Sequence, residues 1–268
     1  MAGSEQNGVE IQSAAPLPAE TVRLPERGFT IDRRKALIAA AICWAGFAAM
    51  VWLVGTGRTA AFDEMGLTAF RGAEDMAFRG HDKLLEAIRD TTALGGVLLR
   101  NLFAIAAVVA LLFLTLRREA VLFALTVMTG WLANTGLKQV VGRDRPEIVP
   151  HLMAAGGESF PSGHSFNAAV VYIAMAIAFA AMSRRHSVRY LLIGSAMMLS
   201  ALVAGSRVIL GVHFPSDVVA GWLGGAGWAF LAAALLYKPA KAAADSDMVA
   251  NVEQATHPDD RSPSAGSR

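Results

Sequence analysis

Six blocks of apolar residues mark the chain, at 36–55, 96–116, 120–137, 165–182, 190–206 and 218–237. A bilayer core of about 30 Å takes roughly 20 apolar residues of α-helix, so each block has or approaches the length of one crossing. The third and fifth are short and polar at one end. The second carries Arg100 four residues inside its start, from where a long side chain is expected to snorkel to the interface. Gly221, Gly224, Gly225 and Gly227 recur within the sixth block, which suits close helix packing in lipid. Between the first two blocks, residues 82–94 read as a short amphipathic helix with Leu84, Leu85 and Ile88 on one side. That helix either lies on the membrane surface or packs on the top of the bundle. The first block begins too late, and lacks the small-residue exit, to read as a cleaved signal peptide. No internal repeat is visible. The pattern predicts an all-α protein, a six-transmembrane-helix bundle over residues 33–241 with an outer loop at 56–95. Tails at 1–32 and 242–268, rich in Ala, Ser, Gly, Pro and charge, are expected to be disordered.

Lysine and arginine beside the blocks set the expected orientation. Arg33, Arg34 and Lys35 precede the first block, Arg117 and Arg118 follow the second, Arg184, Arg185 and Arg189 lie between the fourth and fifth, and Lys238 and Lys241 follow the sixth. Simple alternation puts all of them on one side, and both termini are then cytoplasmic. The opposite loop, 56–95, holds five basic against seven acidic residues. Lys138, Arg143, Arg145 and Arg207 break the rule by falling outside.

Composition supports the membrane reading. Of 268 residues, 54% are hydrophobic and only 17% charged, with mean hydropathy +0.43, where soluble domains carry about 25% charge. A net charge of +2 gives nucleic acid no electrostatic footing. The single cysteine, Cys43, excludes an intrachain disulfide and a cysteine-based metal site.

The misplaced cations belong to three polar islands. The first runs from Lys138 to Arg145 and Pro146, the second from Phe160 through Pro161, Ser162, Gly163 and His164 to Ser165, and the third from Ser206 and Arg207 to His213 and Asp217. Alternation places all three at one membrane face, where a compact bundle lets them converge. Lys138, Arg145 and Arg207 then match the oxygens of a phosphate. The fourth and sixth crossings present helix N-termini to the same place, and Gly163 lets a backbone amide approach without a side chain in the way. Asp217, four residues after His213, is expected to accept the Nδ1 proton, leaving Nε2 free as a nucleophile toward phosphorus. His164 is then the acid for the leaving oxygen and, in a second step, the base for water. The cations stabilise the transferring group, so no metal and no cofactor is required.

These islands resemble the signature of the type 2 phosphatidic acid phosphatase (PAP2) superfamily, K-x6-R-P, P-S-G-H and S-R-x5-H-x3-D, in order and at the expected bundle ends. The resemblance covers about residues 62–237 and implies a PAP2/acid-phosphatase-like core. By it, Lys138, Arg145, Ser162, Gly163 and Arg207 bind phosphate, His164 is the acid, His213 the nucleophile and Asp217 its partner. The superfamily also includes soluble acid phosphatases and vanadium haloperoxidases; six crossings make this chain similar to the membrane lipid-phosphatase branch.

Plainer readings apply elsewhere. Arg143 and Asp144 read as a solvated pair, Gly156, Gly157 and Glu158 as a flexible approach loop, and His81, His151, His186 and His257 as surface or interface residues. Tyr172 and the five tryptophans read as packing or belt residues. Ser162 is weighed as a nucleophile and preferred as a phosphate donor, since no base is paired to it. A metal pair at His213 and Asp217 lacks a third protein ligand. The expected protein is therefore a multi-pass enzyme of the bacterial inner membrane, facing the periplasm, that hydrolyses a lipid phosphate or diphosphate. Polyprenyl diphosphate, phosphatidylglycerolphosphate and phosphatidic acid are the candidates. A phosphotransferase with the same site, or a silent binder or transporter of anionic lipid, are the alternatives. The expected partners are a lipid phosphate from the bilayer and the membrane itself; the sequence carries no signal of oligomeric state.

Overall fold

The structure, a computed structural model, describes residues 32–180, 182–183 and 185–256, of which 236–256 are described as backbone only. Eight helices are present among them: α1 (Arg33–Gly55), α2 (Ala60–Thr68), α3 (Asp82–Leu94), α4 (Val97–Phe113), α5 (Arg117–Val141), α6 (Gly163–Ala180), α7 (His186–Ile209) and α8 (Pro215–Thr256). The described residues form no strand, only an isolated bridge between Arg71 and Phe78.

Among the described residues five segments are long and apolar enough to cross a bilayer: α1, α5, α6, α7 and Pro215–Leu235 of α8. Helix α4 falls short alone and qualifies only together with α3, across a bend of 50°. The expected second crossing is thus half of a bent pair, broken at Gly95 and Gly96. The helices outrun the apolar blocks because their ends are built from polar residues: Asp32 caps α1 by accepting from the Arg34 and Lys35 N–H groups at 3.1 and 3.3 Å, as side-chain caps do. At the other end α8 continues to Thr256, where a disordered tail from 242 is expected. Its alanine-rich stretch at 240–244 favours helix strongly. The N-terminal tail 1–31, Ala181, Arg184, and residues 257–268 lie outside the described residues.

Helix α6 is the central element. Nearly all its residues from Ser165 to Ala180 are buried, against α5, α7 and α8, while α1 covers another face of α8 and α4 packs on α5. Glycines make this possible. A Cβ at Gly221 would lie 2.6 Å from the Ser162 carbonyl oxygen, one at Gly224 would lie 2.8 Å from the Phe166 ring, and one at Gly225 would overlap the Phe166 carbonyl. Gly227 meets Trp44 of α1 in the same way, at 3.0 Å. Small residues here let backbones approach as membrane helices require. The aromatics pack as expected: Trp44 stands edge-on to Phe47 and Trp228, and Trp222 donates to Ser200 Oγ at 3.0 Å.

Two expectations about the outer region are corrected or settled. Helix α3 packs on α7 and buries Thr92, so it sits on the bundle. Arg100 does not snorkel; it is 7% exposed and donates to Asn101 Oδ1 at 3.3 Å. Its carbon stem is held inside because α4 presents it toward α6 beneath the α3–α4 bend, where Tyr172 Oη donates to the Leu94 carbonyl at 2.6 Å.

Candidate active site

Four helix ends and one loop build the site. Helix α5 ends at Gly142, whose left-handed conformation (φ 59°) and N–H bond to the Lys138 carbonyl turn the chain across the bundle end, a backbone state that suits glycine. The turn carries Arg143 and Arg145 inward. Helix α7 ends the same way at Gly211 (φ 75°), and delivers Val212 and His213 to the start of α8. Backbone bonds join the islands: the Ser162 N–H donates to the Asp217 carbonyl at 3.0 Å, and the Ser159 N–H to the Arg143 carbonyl at 2.7 Å.

Lys138, Arg145, Gly163, His164, Arg207 and His213 line one pocket of about 350 Å³, together with the loop from Ala154 to Glu158. Six of the eight residues singled out in the sequence therefore share one wall. The other two lie behind it. Asp217 is fully buried and accepts from Ser159 Oγ at 2.5 Å, Arg143 Nη1 at 2.6 Å and the Phe214 N–H at 3.0 Å. Ser162 is also fully buried, and its Oγ accepts from Ser165 at 3.0 Å. Gly221 lets α8 close over the Ser162 backbone, so Ser162 stands behind the residues that line the pocket.

His213 has its tautomer set by its neighbours. Arg145 Nη1 lies 3.2 Å from Nε2. A guanidinium only donates, so Nε2 accepts and carries a lone pair toward the pocket. The proton is then on Nδ1, which faces Ser159 Oγ at 3.2 Å and Asp217 Oδ2 at 3.6 Å. The carboxylate is beyond hydrogen-bond length, and the serine bridges the gap. Burial pushes the imidazole down to about 4, with Asp217 acting against the shift and Arg145 and Arg207 reinforcing it.

Two of the cations are held by the pocket's own backbone and the third by side chains. Arg145 donates to the carbonyls of Gly156 (2.8 Å), Gly157 (2.9 Å) and Val212 (2.7 Å), and Lys138 to that of Glu158. Arg207, 2% exposed, reaches Thr92 Oγ1 at 3.2 Å and Met153 Sδ at 2.9 Å, while its Nε has no partner. The carbonyls of the 156–158 loop are thus acceptors for two of the pocket's cations. Arg143 is a second correction. It is no solvated pair with Asp144, which is exposed; it joins Asp217 to Asp63 of α2, whose Oδ2 lies 2.8 Å from Nη2.

Sequence reasoning missed Ser159, Asp63 and Ser216. Ser159 sits next to the second island and had only that proximity as a signal. Asp63 had none, being 80 positions from its partner. Among the described residues no three His, Cys, Asp or Glu side chains are grouped as a metal site.

Known proteins resemble parts of this chain. The PAP2 superfamily model matches residues 119–241. The chain is 38% identical over 127 residues to a lipid A 1-phosphatase of Rhizobium etli, covering 44% of this chain and 50% of that one. It is 38% identical over 108 residues to phosphatidylglycerophosphatase B of Bacillus subtilis, covering 39% and 51%. The chain thus spans about half the length of the curated relatives it matches. The crystal structure of a transmembrane PAP2-type phosphatidylglycerolphosphate phosphatase from Bacillus subtilis superposes with a TM-score of 0.65 at 28% identity, over 72% of this chain and 93% of that one. With three motifs in order, one pocket gathering them and a similar membrane fold, this chain resembles the PAP2 superfamily over residues 119–241.

Proposed function

We propose that the chain is a membrane lipid phosphatase that removes a terminal phosphate from a lipid at the outer leaflet of the inner membrane, with both termini in the cytoplasm. The carrying observation is the His213 imidazole, buried, with Nε2 as acceptor toward a pocket walled by Lys138, Arg145 and Arg207. A pocket for binding alone has no use for a nitrogen lone pair aimed at the anion. The relatives are named for the 1-phosphate of lipid A and for phosphatidylglycerophosphate, and the same chemistry fits phosphatidic acid and polyprenyl diphosphate.

In the first step Nε2 of His213 attacks phosphorus, the bond to the lipid oxygen breaks, and protonated His164 gives that oxygen its proton. Ser159 and Asp217 hold the Nδ1 proton as charge builds on the ring. Lys138, Arg145 and Arg207 exchange carbonyl and sulfur partners for phosphate oxygens and stabilise the equatorial charge. The first-turn N–H groups of α6 at Gly163 and His164 point at the same oxygens. In the second step neutral His164 takes a proton from water as its oxygen attacks phosphorus. The P–N bond breaks, and inorganic phosphate leaves. The three cations do the electrostatic work a metal would do, so turnover is expected without one.

Phosphate release from lipid A, phosphatidylglycerophosphate, phosphatidic acid and polyprenyl diphosphate, in mixed micelles with a chelator present, tests the reading. Release from at least one lipid, abolished in His213→Ala, is expected. No release from any, transfer of phosphate to a hydroxyl acceptor in place of water, or strict need for a divalent ion would overturn it.

A further inference from the structure

We infer that Asp63 and Arg143 are positioning residues of this reaction, a chain of two buried carboxylates joined by a half-buried guanidinium that runs from helix α2 of the outer loop to Asp217 and sets the charge that His213 experiences. The inference rests on the reading of His213 as the nucleophile. Neither residue belongs to the three motifs, and Asp63 lies outside the 119–241 match.

The geometry is specific. Arg143 Nη1 lies 2.6 Å from Asp217 Oδ1 and 2.7 Å from Ser216 Oγ, and Nη2 lies 2.8 Å from Asp63 Oδ2. The guanidinium stacks 4.0 Å above the Phe214 ring, so one face is closed and its planar fork is fixed. Asp63, 2% exposed, also accepts from the Ser216 N–H at 2.9 Å and Ser216 Oγ at 2.8 Å. It thereby caps α8 from another helix, satisfying a first-turn donor that α8 itself leaves open. Three residues on, Gly66 meets the Pro215 ring so closely that a Cβ would overlap it. Helix α2 is therefore docked on the first turn of α8, two residues before Asp217.

One cation between two buried carboxylates leaves a net negative charge behind the imidazole. On the other sides His213 faces Arg145, Arg207 and His164. Removing Arg143 exposes the ring to the full charge of Asp217 and Asp63, and the proton is held more tightly. Removing the Asp63 charge acts in the opposite sense. A general loosening of the fold would not give opposite signs.

The test uses the purified full chain with a lipid phosphomonoester in mixed micelles. Arg143→Gln is expected to lower kcat about 100-fold and Asp63→Asn about 10-fold, the range usual for groups that orient a reacting side chain, with KM nearly unchanged. The acid limb of kcat/KM moves to higher pH in Arg143→Gln and does not rise in Asp63→Asn. Arg143→Lys keeps the charge while serving one carboxylate at a time; it recovers part of kcat and leaves the limb in place. Should the neutral variants fail to purify folded, Arg143→Lys carries the test by its lowered kcat at constant KM. Wild-type turnover with unaltered kcat in the variants, a loss confined to KM, or limbs displaced in one direction in both neutral variants would overturn this inference alone. Absence of wild-type turnover would instead overturn the proposed function beneath it.

Discussion

His213 and Asp217 do not hydrogen-bond to each other directly: Nδ1 and Oδ2 stand 3.6 Å apart, and the Ser159 hydroxyl accepts from one and donates to the other at 3.2 and 2.5 Å. His213 lies two residues before α8 and Asp217 in its first turn, and the Phe214 N–H and Arg143 both bind the carboxylate. The serine hydroxyl, a donor and an acceptor at once, completes the connection.

Ser159→Ala should therefore reduce turnover without emptying the pocket. It leaves the ring proton and one buried carboxylate oxygen each short of a partner. A buried hydrogen bond to a charged group is worth about 1.5–3 kcal/mol, so kcat is expected to fall about 10- to 100-fold, with KM nearly constant. Steady-state kinetics checks this, and wild-type kcat in the variant would assign the connection to direct His213–Asp217 contact.

The imidazole of His213, pushed to about 4 by burial, should remain neutral through weakly acid solution. Nitrogen-labelled histidine observed by NMR, with His213→Ala to assign the signal, is expected to show it titrating near that value. The linkage has a definite sign. An unfolded chain takes up this proton near its ordinary pKa of about 6.5, so native stability is full above that and is lost as pH falls from there toward 4. The midpoint of thermal unfolding in detergent should accordingly drop across that window. Titration near neutrality would contradict the buried environment described here.

Gly225→Ala should be destabilising. Its Cβ would overlap the Phe166 carbonyl and lie 2.9 Å from the Ala169 Cβ. Both neighbours belong to the most buried helix, and overpacking of this kind costs about 1–3 kcal/mol. Forcing α8 from α6 also separates Ser162 from Asp217, so phosphate release is expected to fall with the melting temperature. An unchanged melting temperature would show that the two helices have room to spare.

How far the sequence carries depends on the range of the physics involved. Apolar blocks are a local signal, and α1, α5, α6, α7 and α8 follow from them, with ends displaced into polar flanks such as the Asp32 cap of α1 and the stretch of α8 that runs on to Thr256. The short α4 was legible as apolar but not as one arm of a bend, because Gly95 and Gly96 break a helix only in light of what packs around them. The Cβ space at Gly95 is taken by Val203 and, at 3.3 Å, by His164. Cations that break the expected positive-inside pattern pointed to Lys138, Arg145 and Arg207, and each lines the pocket. The same rule flagged Arg143, but its purpose hides in a tertiary contact with Asp63 that no spacing encodes. Ser162 shows another limit: its side chain is buried against Ser165 behind the pocket lining, since a sequence shows membership of a loop and not which side of the loop faces the pocket.

The account turns on His213 receiving the phosphoryl group. Rapid quenching of the purified protein with a radiolabelled lipid phosphate, followed by peptide mapping under alkaline conditions that preserve phosphohistidine, measures this directly. Label is expected on the peptide containing His213 and nowhere else, and absent in His213→Ala. Label on a serine peptide such as that of Ser162, or on His164, or steady turnover by His213→Ala, would contradict it.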